Sequence, residues 1–232
     1  MTDQMTPLIV VTPNGPYVVT GEVPLAVQTI MPNSAKESWE WEQGEVFEAK
    51  TTYALCRCGR SGHAPFCDGT HAKVGFDGTE AASALVPFDQ QKTALVGPTL
   101  TLHDARPLCA AARFCDAGRD IWSSIPETGS AEARDRVIHQ ATHCPSGRLV
   151  VRDNVTGEVY EPSLPVSIGV VDDPGEDCSG PLWVRGGIQI QSSDGTPYEV
   201  RNRVTLCRCG QSNNKPFCNG THIEVKYKDG RS

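Results

Sequence analysis

Residues 56–71 read Cys-Arg-Cys-Gly-Arg-Ser-Gly-His-Ala-Pro-Phe-Cys-Asp-Gly-Thr-His, and residues 207–222 read Cys-Arg-Cys-Gly-Gln-Ser-Asn-Asn-Lys-Pro-Phe-Cys-Asn-Gly-Thr-His. Both stretches, called here the first and second motif, place three cysteines and one histidine at the same spacing. Thiolate and imidazole are ligands of zinc and iron. The repeat therefore predicts two equivalent metal sites, with the ligand sets Cys56, Cys58, Cys67, His71 and Cys207, Cys209, Cys218, His222.

The spacing within each motif divides the ligands into two pairs. Cys56 and Cys58 point to the same face of an extended chain, roughly 7 Å apart, and a bend at Gly59 can bring both sulfurs to one metal. Cys67 and His71 are four residues apart, so one helical turn places them on one face. Two pairs suit a two-iron cluster, and they can also close around a single tetrahedral zinc ion.

The second pair is predicted to lie at the start of a helix in each motif. A helix N-terminus favours thiolate at Cys67 and Cys218, and the side chain of Asp68 or Asn219 is expected to cap the turn. Alternating segments before each motif, Thr52–Leu55 and Val204–Leu206, predict strands that lead into the ligands.

Two interpretations without iron remain open at this point. Structural zinc sites use three cysteines and one histidine, although Cys-x2-Cys or wider pairs are more usual than Cys-x-Cys. A disulfide framework also accounts for 10 cysteines, but it gives the two histidines no role.

The first motif resembles the CDGSH iron–sulfur proteins, the mitoNEET-like group, whose pattern is Cys-x-Cys-x2-Ser/Thr-x3-Pro-x-Cys-Asp-Gly-Ser/Thr-His. It fits at every position, and the second motif departs only at Asn219. The resemblance implies a [2Fe–2S] cluster at each motif, held by its three cysteines and one histidine. It also implies electron transfer, redox sensing or cluster transfer, and no enzyme reaction. Two such units commonly pair in this group, so we expect an internal pseudo-dimer in a monomer, or a homodimer.

Three further cysteines lie between the motifs. Cys109-x5-Cys115 followed by Cys144-Pro145 resembles the bacterial ferredoxin pattern, with Ala112 in place of its middle cysteine. Three thiolates fit a [3Fe–4S] cluster, or a [4Fe–4S] cluster with one more ligand. Candidates for that ligand are His143, His103 and Cys178. The alternative is a domain without a cluster in which these cysteines are buried or free thiols, the state also expected for Cys178.

The composition, with 22 glycines and 17 prolines among 232 residues, predicts short strands and many turns. We expect an α+β protein of small, β-rich, metal-stabilised domains in which two CDGSH-type units, residues 1–90 and 178–232, flank a ferredoxin-like insert, residues 96–165. Metal ligation would supply stability that such small cores lack.

Short segments suggest a longer repeat and further elements. Pro7–Val10 is echoed by Pro181–Val184, and Gly15–Tyr17 by Gly195–Tyr198. The first repeat has a long insertion between Tyr17 and Cys56 that contains Trp39 and Trp41. This insertion predicts a hairpin or lid over the first site. The middle unit predicts strands at 99–102 and 148–151 and helices at 108–114 and 131–140, and the segment 161–180 resembles a linker.

The remaining sequence features narrow the function class. The net charge of −7 disfavours nucleic-acid binding. No apolar stretch approaches the roughly 20 residues of a membrane span, and no signal peptide is evident, so we expect a cytoplasmic protein that binds no membrane. The expected partner is a reductase, a flavoprotein or an apo-protein that accepts a cluster. The alternatives are a structural zinc-binding interaction module and the cluster-bearing subunit of a reductase.

Overall fold

The computed structural model describes residues 6–48 and 50–231, which form thirteen β-strands and five α-helices. The strands are β1 Leu8–Val11, β2 Tyr17–Thr20, β3 Leu25–Pro32, β4 Ser38–Phe47, β5 Thr52–Leu55, β6 Thr93–Val96, β7 Leu100–Asp104, β8 Leu149–Asp153, β9 Val159–Tyr160, β10 Ser167–Asp173, β11 Cys178–Arg185, β12 Gln189–Gln191 and β13 Arg203–Leu206. The helices are α1 Thr70–Lys73, α2 Phe88–Gln91, α3 Ile121–Ser124, α4 Ala131–His143 and α5 Thr221–Glu224. This confirms the predicted β-rich α+β class. Within the described residues, none of the helices has the length and apolar character that a membrane span requires.

Two of the three sheets share one plan. The first has the order β12-β1-β2-β5, and the second has the order β13-β11-β10-β3-β4. In each, three antiparallel strands lead into a cysteine motif, as β1-β2-β5 and as β10-β11-β13. A fourth strand joins each set in parallel, β12 beside β1 and β3 beside β10. The predicted strands before the two motifs are confirmed as β5 and β13.

The parallel strand of each sheet comes from the other repeat. Strand β12 follows β11 in the chain but completes the sheet of the first motif, whereas β3 follows β2 but completes the sheet of the second. Apolar residues of both sheets then share one core, including Ile9, Val19, Ile168 and Val184. The residues of the first and last predicted units are therefore interleaved in a single core.

The predicted linker at 161–180 is wrong. Half of it forms β10 and the start of β11, and these strands lie in the interior of the second sheet. Ile168 and Val170 are fully buried there. The prediction gave weight to proline, glycine and acidic residues, but these flank a short apolar run that is buried as a central strand.

The similar short segments found in the sequence do not occupy corresponding strands of the two sheets. Tyr17 lies opposite Leu55 in the first sheet, and Leu182 lies opposite Leu206 in the second, so β2 corresponds to β11 and β1 to β10. The matched prolines at 7 and 181 instead align β1 with β11. Short apolar runs fit many positions of a buried sheet, and only the pairing fixes their register.

The hairpin predicted in the insertion is confirmed as β3–β4, but its tryptophans do not cover the first motif. The Trp39 ring stacks on His139 of α4 at 4.0 Å, and Trp41 Nε1 donates to the His143 carbonyl at 3.2 Å. Helix α4 offers an aromatic partner to Trp39 and a hydrogen-bond acceptor to Trp41, so β4 packs on the middle unit.

The middle unit is an antiparallel sheet of order β6-β7-β8-β9 that packs on α3 and α4. Its predicted strands and its second helix are confirmed as β7, β8 and α4. The helix predicted at 108–114 is wrong. A single 3₁₀ turn at Arg106–Leu108 is followed by irregular chain with positive φ at Ala111 and Arg113. The helix propensity of the alanine run is overridden because this loop curves around a cavity.

Candidate metal centres

The two motifs fold alike around their ligand pairs. The Sγ atoms of Cys56 and Cys58 are 3.7 Å apart, and Cys67 Sγ lies 3.3 Å from His71 Nδ1. In the second motif the corresponding distances are 3.7 Å and 3.4 Å. Backbone bonds hold the pairs together in the first motif, where Cys56 N donates to Pro65 O at 2.8 Å and Cys67 N donates to Ala54 O at 2.9 Å. The second motif repeats both bonds.

The spacing within each pair fits two ligands of one metal ion. Two sulfurs bound to a tetrahedral metal at about 2.3 Å lie roughly 3.8 Å apart. The two pairs of a motif remain separate. Among residues 6–48 and 50–231, three ligand atoms lie within 4.8 Å of one another only at Glu40, His139 and His143, which belong to neither motif. In each motif, therefore, no three of the four ligand atoms lie this close together. All ten cysteines lie in the described part of the chain as free thiols, which disfavours a disulfide framework.

The loops that carry the Cys-x-Cys pairs touch each other. Gly59 and Gly210 have positive φ, and a Cβ atom added to Gly59 would lie 2.6 Å from Cys209 O. A Cβ atom added to Gly210 would lie equally close to Cys58 O. Only glycine therefore fits both the turn and the close backbone approach. The two sites face each other across this contact.

Asp68 and Asn219 stabilise the turn between cysteine and histidine, but the prediction that they cap the helix is wrong, because Gly69 and Gly220 occupy the N-cap positions and no side chain bonds there. Asp68 accepts from the backbone N–H groups of Thr70 and Gly62, each at 2.9 Å, and these bonds lower the pKa of its carboxyl. Asn219 Oδ1 accepts from Thr221 N at 3.2 Å. Helices α1 and α5 begin immediately after Gly69 and Gly220. Cys67 and Cys218 therefore precede the helices and do not lie within their first turns.

The sites differ in exposure. Cys67 and His71 are half-buried, whereas Cys218 and His222 are 2% and 3% exposed. Burial lowers the pKa of His222 to about 4. The cover over the second site includes the middle unit, because a Cβ atom on Gly220 would lie 2.9 Å from the Cβ of Ala111.

The structure brings the three middle cysteines to one cavity. Cys109, Cys115 and Cys144 all line a space of about 210 Å³ beside Trp122 and Arg148. Burial raises the pKa of the Cys115 thiol. Arg148 forms two hydrogen bonds with Asp104, at 2.6 and 2.7 Å, which fix the cation beside the cavity.

The predicted additional ligands do not line this cavity. His103 and Cys178 line other surface pockets, and His143 packs on Phe114 and on His139. Their selection by residue type and by proximity in the sequence was therefore wrong, since the cavity is lined by the 109–116 loop and the 144–149 turn.

Two oxygen donors that the sequence analysis missed do line the cavity. Asp116 Oδ1 lies 3.7 Å from Cys115 Sγ, and Ser146 Oγ lies 3.5 Å from Cys144 Sγ. Each is within two residues of a cysteine, which is the signal that could have found them.

Three arginines that were not predicted to have a role are buried beside the motifs. Arg57 and Arg208 each lie between the cysteines of a Cys-x-Cys pair and are almost fully buried. Arg57 donates to Thr12 O and Gly78 O. Arg208 donates to Gly180 O and Val171 O and pairs with Asp229. Their identical position in both motifs was the available signal.

The third arginine, Arg203, joins the middle unit to β13. It donates to backbone carbonyls at 2.7–3.2 Å and forms an ion pair with Glu161. The accepting carbonyls belong to Ala141, Thr142, Cys144 and Leu149. Arg203 therefore fixes the end of α4 and the Cys144 turn against the strand that leads into the second motif.

Comparisons with known families agree with the two motifs and the middle cysteines. The family model described as an iron-binding zinc finger of CDGSH type matches residues 14–72 and 179–223. The family model described as a divergent 4Fe-4S mono-cluster matches residues 95–154. No curated protein and no solved structure matches the chain. The resemblances predicted for the motifs and for the middle segment are confirmed.

Proposed function

From two iron-binding regions of CDGSH type around a divergent 4Fe-4S region, we propose that this chain is an electron-transfer protein. In this proposal each motif holds a [2Fe–2S] cluster through three cysteines and one histidine. The ferredoxin-like middle unit holds a [3Fe–4S] or [4Fe–4S] cluster through Cys109, Cys115 and Cys144. Such clusters supply one-electron transfer when bound.

The separation of each motif into two ligand pairs carries the proposal. A single tetrahedral zinc ion requires its four donor atoms to lie within about 4 Å of one another. Here each pair has the spacing of two ligands on one metal, 3.3–3.7 Å, but no three ligand atoms of a motif meet within 4.8 Å in the described residues. This arrangement favours two bridged irons over one zinc ion.

The chain prepares the sulfurs for metal through burial and backbone donors. Burial raises the pKa of Cys58 to about 11, so its thiolate is favoured only when a cation binds beside it. The backbone amides of Arg60 and Gln211 act in the opposite direction and lower the pKa of the Cys58 and Cys209 thiols, and Gly220 N donates to Cys218 Sγ at 3.4 Å. Such bonds stabilise the negative charge on sulfur and raise a cluster's reduction potential.

The contacts among the three sites suggest an order of electron transfer. The middle cysteine loop touches the second motif at Ala111 and Gly220, and the second motif touches the first at Gly210 and Gly59. The half-exposed first site is then the exit to a partner. We propose a reductase, a flavoprotein or an apo-protein cluster acceptor as that partner.

The same contacts support an internal pseudo-dimer in which one chain supplies both CDGSH-type units. The reciprocal exchange of β3 and β12 supports this assembly, because neither sheet is complete without a strand from the other repeat. A cytoplasmic location belongs to this proposal as well.

Metal and sulfide analysis of anaerobically purified protein tests the proposal. We expect about four irons and four acid-labile sulfides from the motifs and three or four irons more from the middle unit. Electron paramagnetic resonance should show reduced [2Fe–2S] signals that are lost in Cys56→Ser and Cys207→Ser variants. Cys178→Ser is the matched control and should keep the full iron content. Colourless protein with stoichiometric zinc and no sulfide would contradict the proposal.

A further inference from the structure

A separate group of metal-ligand side chains lies outside the three cysteine sites. One nitrogen each of His139 and His143 and one carboxylate oxygen of Glu40 lie within 4.8 Å of one another. The two histidines are four residues apart on α4, so they share one face of that helix. Glu40 reaches them from the neighbouring strand β4.

Packing of the hairpin strand on α4 holds the three side chains together. Trp39 stacks on the His139 ring, and Trp41 bonds to the backbone of His143. Glu40 lies between these two tryptophans in the sequence, and its Oε2 is 3.4 Å from His143 Nε2. The carboxylate is therefore positioned by the residues on either side of it.

Hydrogen bonds to backbone carbonyls leave one nitrogen of each ring available. His143 Nδ1 donates to His139 O at 2.8 Å, which leaves the lone pair on Nε2. His139 Nε2 donates to Trp39 O at 2.9 Å, which leaves the lone pair on Nδ1. A histidine that binds metal commonly donates its other N–H to a backbone carbonyl in this way.

We propose that Glu40, His139 and His143 bind a divalent transition-metal ion, with Zn²⁺ as the reference case. Two imidazoles and one carboxylate are a donor set that selects zinc or iron(II) over Mg²⁺ and Ca²⁺, which prefer oxygen ligands. Three protein ligands leave at least one coordination position open to water. The Glu40 side chain is 59% exposed, so the ion can enter directly from solvent.

Metal binding should separate the two stacked imidazoles. Their ring centroids are 3.9 Å apart at an interplanar angle of 32°. Two ligands of one tetrahedral ion approach it from directions about 109° apart. We therefore expect one ring to turn, which would also change the stacking of His139 on Trp39 and hence the tryptophan fluorescence.

The test is a zinc titration of the cluster-loaded protein against a fluorescent chelator, with iron and sulfide counted before and after. We expect one zinc ion to bind without loss of iron. His139→Gln and His143→Gln should weaken binding on the order of 100-fold or more, since changes in the outer shell alone cost 10- to 100-fold. Glu40→Gln should weaken it about tenfold.

Two exposed residues provide matched controls. His63→Gln removes an imidazole whose side chain is 84% exposed, and Glu45→Gln removes a carboxylate from the same strand as Glu40. Both variants should bind zinc like the wild type, and excess Mg²⁺ should not compete.

Three results would overturn the inference. These are no zinc bound by the wild type, equal affinity in the Glu40→Gln and wild-type proteins, or an iron loss that matches the zinc gained. If a histidine variant does not fold, the zinc affinity of Glu40→Gln still tests the inference, because Glu40 is on the surface and its replacement should not disturb folding. The cluster absorbance reports folding independently, so failure here is distinct from failure of the proposed electron-transfer function.

Discussion

The first and second motifs have nearly the same sequence in different surroundings. Eleven of sixteen positions are identical, and both copies make the same ligand pairs and backbone bonds. The His71 side of the first copy is half-exposed, whereas His222 is buried beneath the rest of the chain. The motif therefore sets which atoms can bind metal, and the surrounding fold sets how far water and partners reach them.

The supporting arginines show the same contrast. Arg208 in the second motif pairs with Asp229, whereas Arg57 in the first donates to backbone carbonyls. Arg203 begins β13 as a buried anchor for the middle unit, and its counterpart at the start of β5 is the exposed Thr52. Docking of the middle unit thus depends on residues that only the second copy has.

Replacement of Arg203 is expected to give the largest effect. Arg203→Met leaves buried carbonyls and Glu161 without their donor, and it should lower the free energy of unfolding by about 3–5 kcal/mol. Thr52→Ala, at the corresponding place before the first motif, should change it by less than about 0.5 kcal/mol. Urea unfolding of both variants measures this. Equal effects would show that the two motifs are supported alike.

The Arg208–Asp229 ion pair should make the folding stability around the second motif sensitive to acid. The Arg208 charge and the hydrogen bonds from Arg208 and Arg231 hold the pKa of Asp229 at about 2, against the effect of burial. A carboxyl whose folded pKa lies below its unfolded value of about 3.9 stabilises the fold above that value. This stabilisation is lost as the pH falls from about 4 to about 2.

Asp229→Asn isolates this contribution. It should cost about 2 kcal/mol at pH 7, and the difference from the wild type should shrink as the pH falls toward 2. Asp77→Asn is the control near the first motif, where the aspartate is exposed, and it should cost less. Urea midpoints measured at several pH values provide the comparison. A difference for Asp229→Asn that does not change with pH would rule out the ion pair as its cause.

Two equivalent glycines test the cover over the second site. Gly69 and Gly220 both have positive φ, but a Cβ atom on Gly69 meets nothing within 4 Å, whereas one on Gly220 meets Ala111 at 2.9 Å. Gly69→Ala should cost about 1 kcal/mol from backbone strain alone. Gly220→Ala should cost about 1–3 kcal/mol more, because the two loops must separate. Thermal midpoints of the two variants test whether the contact exists in solution.

The ligand sets and their local turns could be predicted from the sequence because they depend on short spacings. Cys56 and Cys58 converge through one glycine turn, and Asp68 bonds to amides within six residues. The exchange of β3 and β12 could not be predicted, because their apolar residues, such as Val27 and Ile190, suit many positions of a buried sheet. The 109–113 loop was missed because local propensity favours a helix where the cavity requires positive φ at Ala111.

The smallest expected difference between the two motifs is in the rate at which acid releases their clusters. A proton competes with metal for imidazole near its free pKa of about 6.5. His71 is half-exposed, whereas burial lowers the pKa of His222 to about 4. A histidine whose pKa is lower by one is protonated about tenfold less often at a given pH above its pKa. We therefore expect mild acid to release the first cluster at least about tenfold faster than the second.

Visible absorbance after a drop to pH 6 or 5 should then decay in two phases. His71→Cys should abolish the acid dependence of the fast phase and leave the slow one, and His222→Cys should act on the slow phase alone. Gly220→Ala sharpens the test, because it loosens the cover over His222 without touching a ligand and should bring the slow phase closer to the fast one. A single phase that no variant divides would mean that the buried and the exposed histidine release metal alike, so that cover by the middle unit has no effect on cluster lifetime.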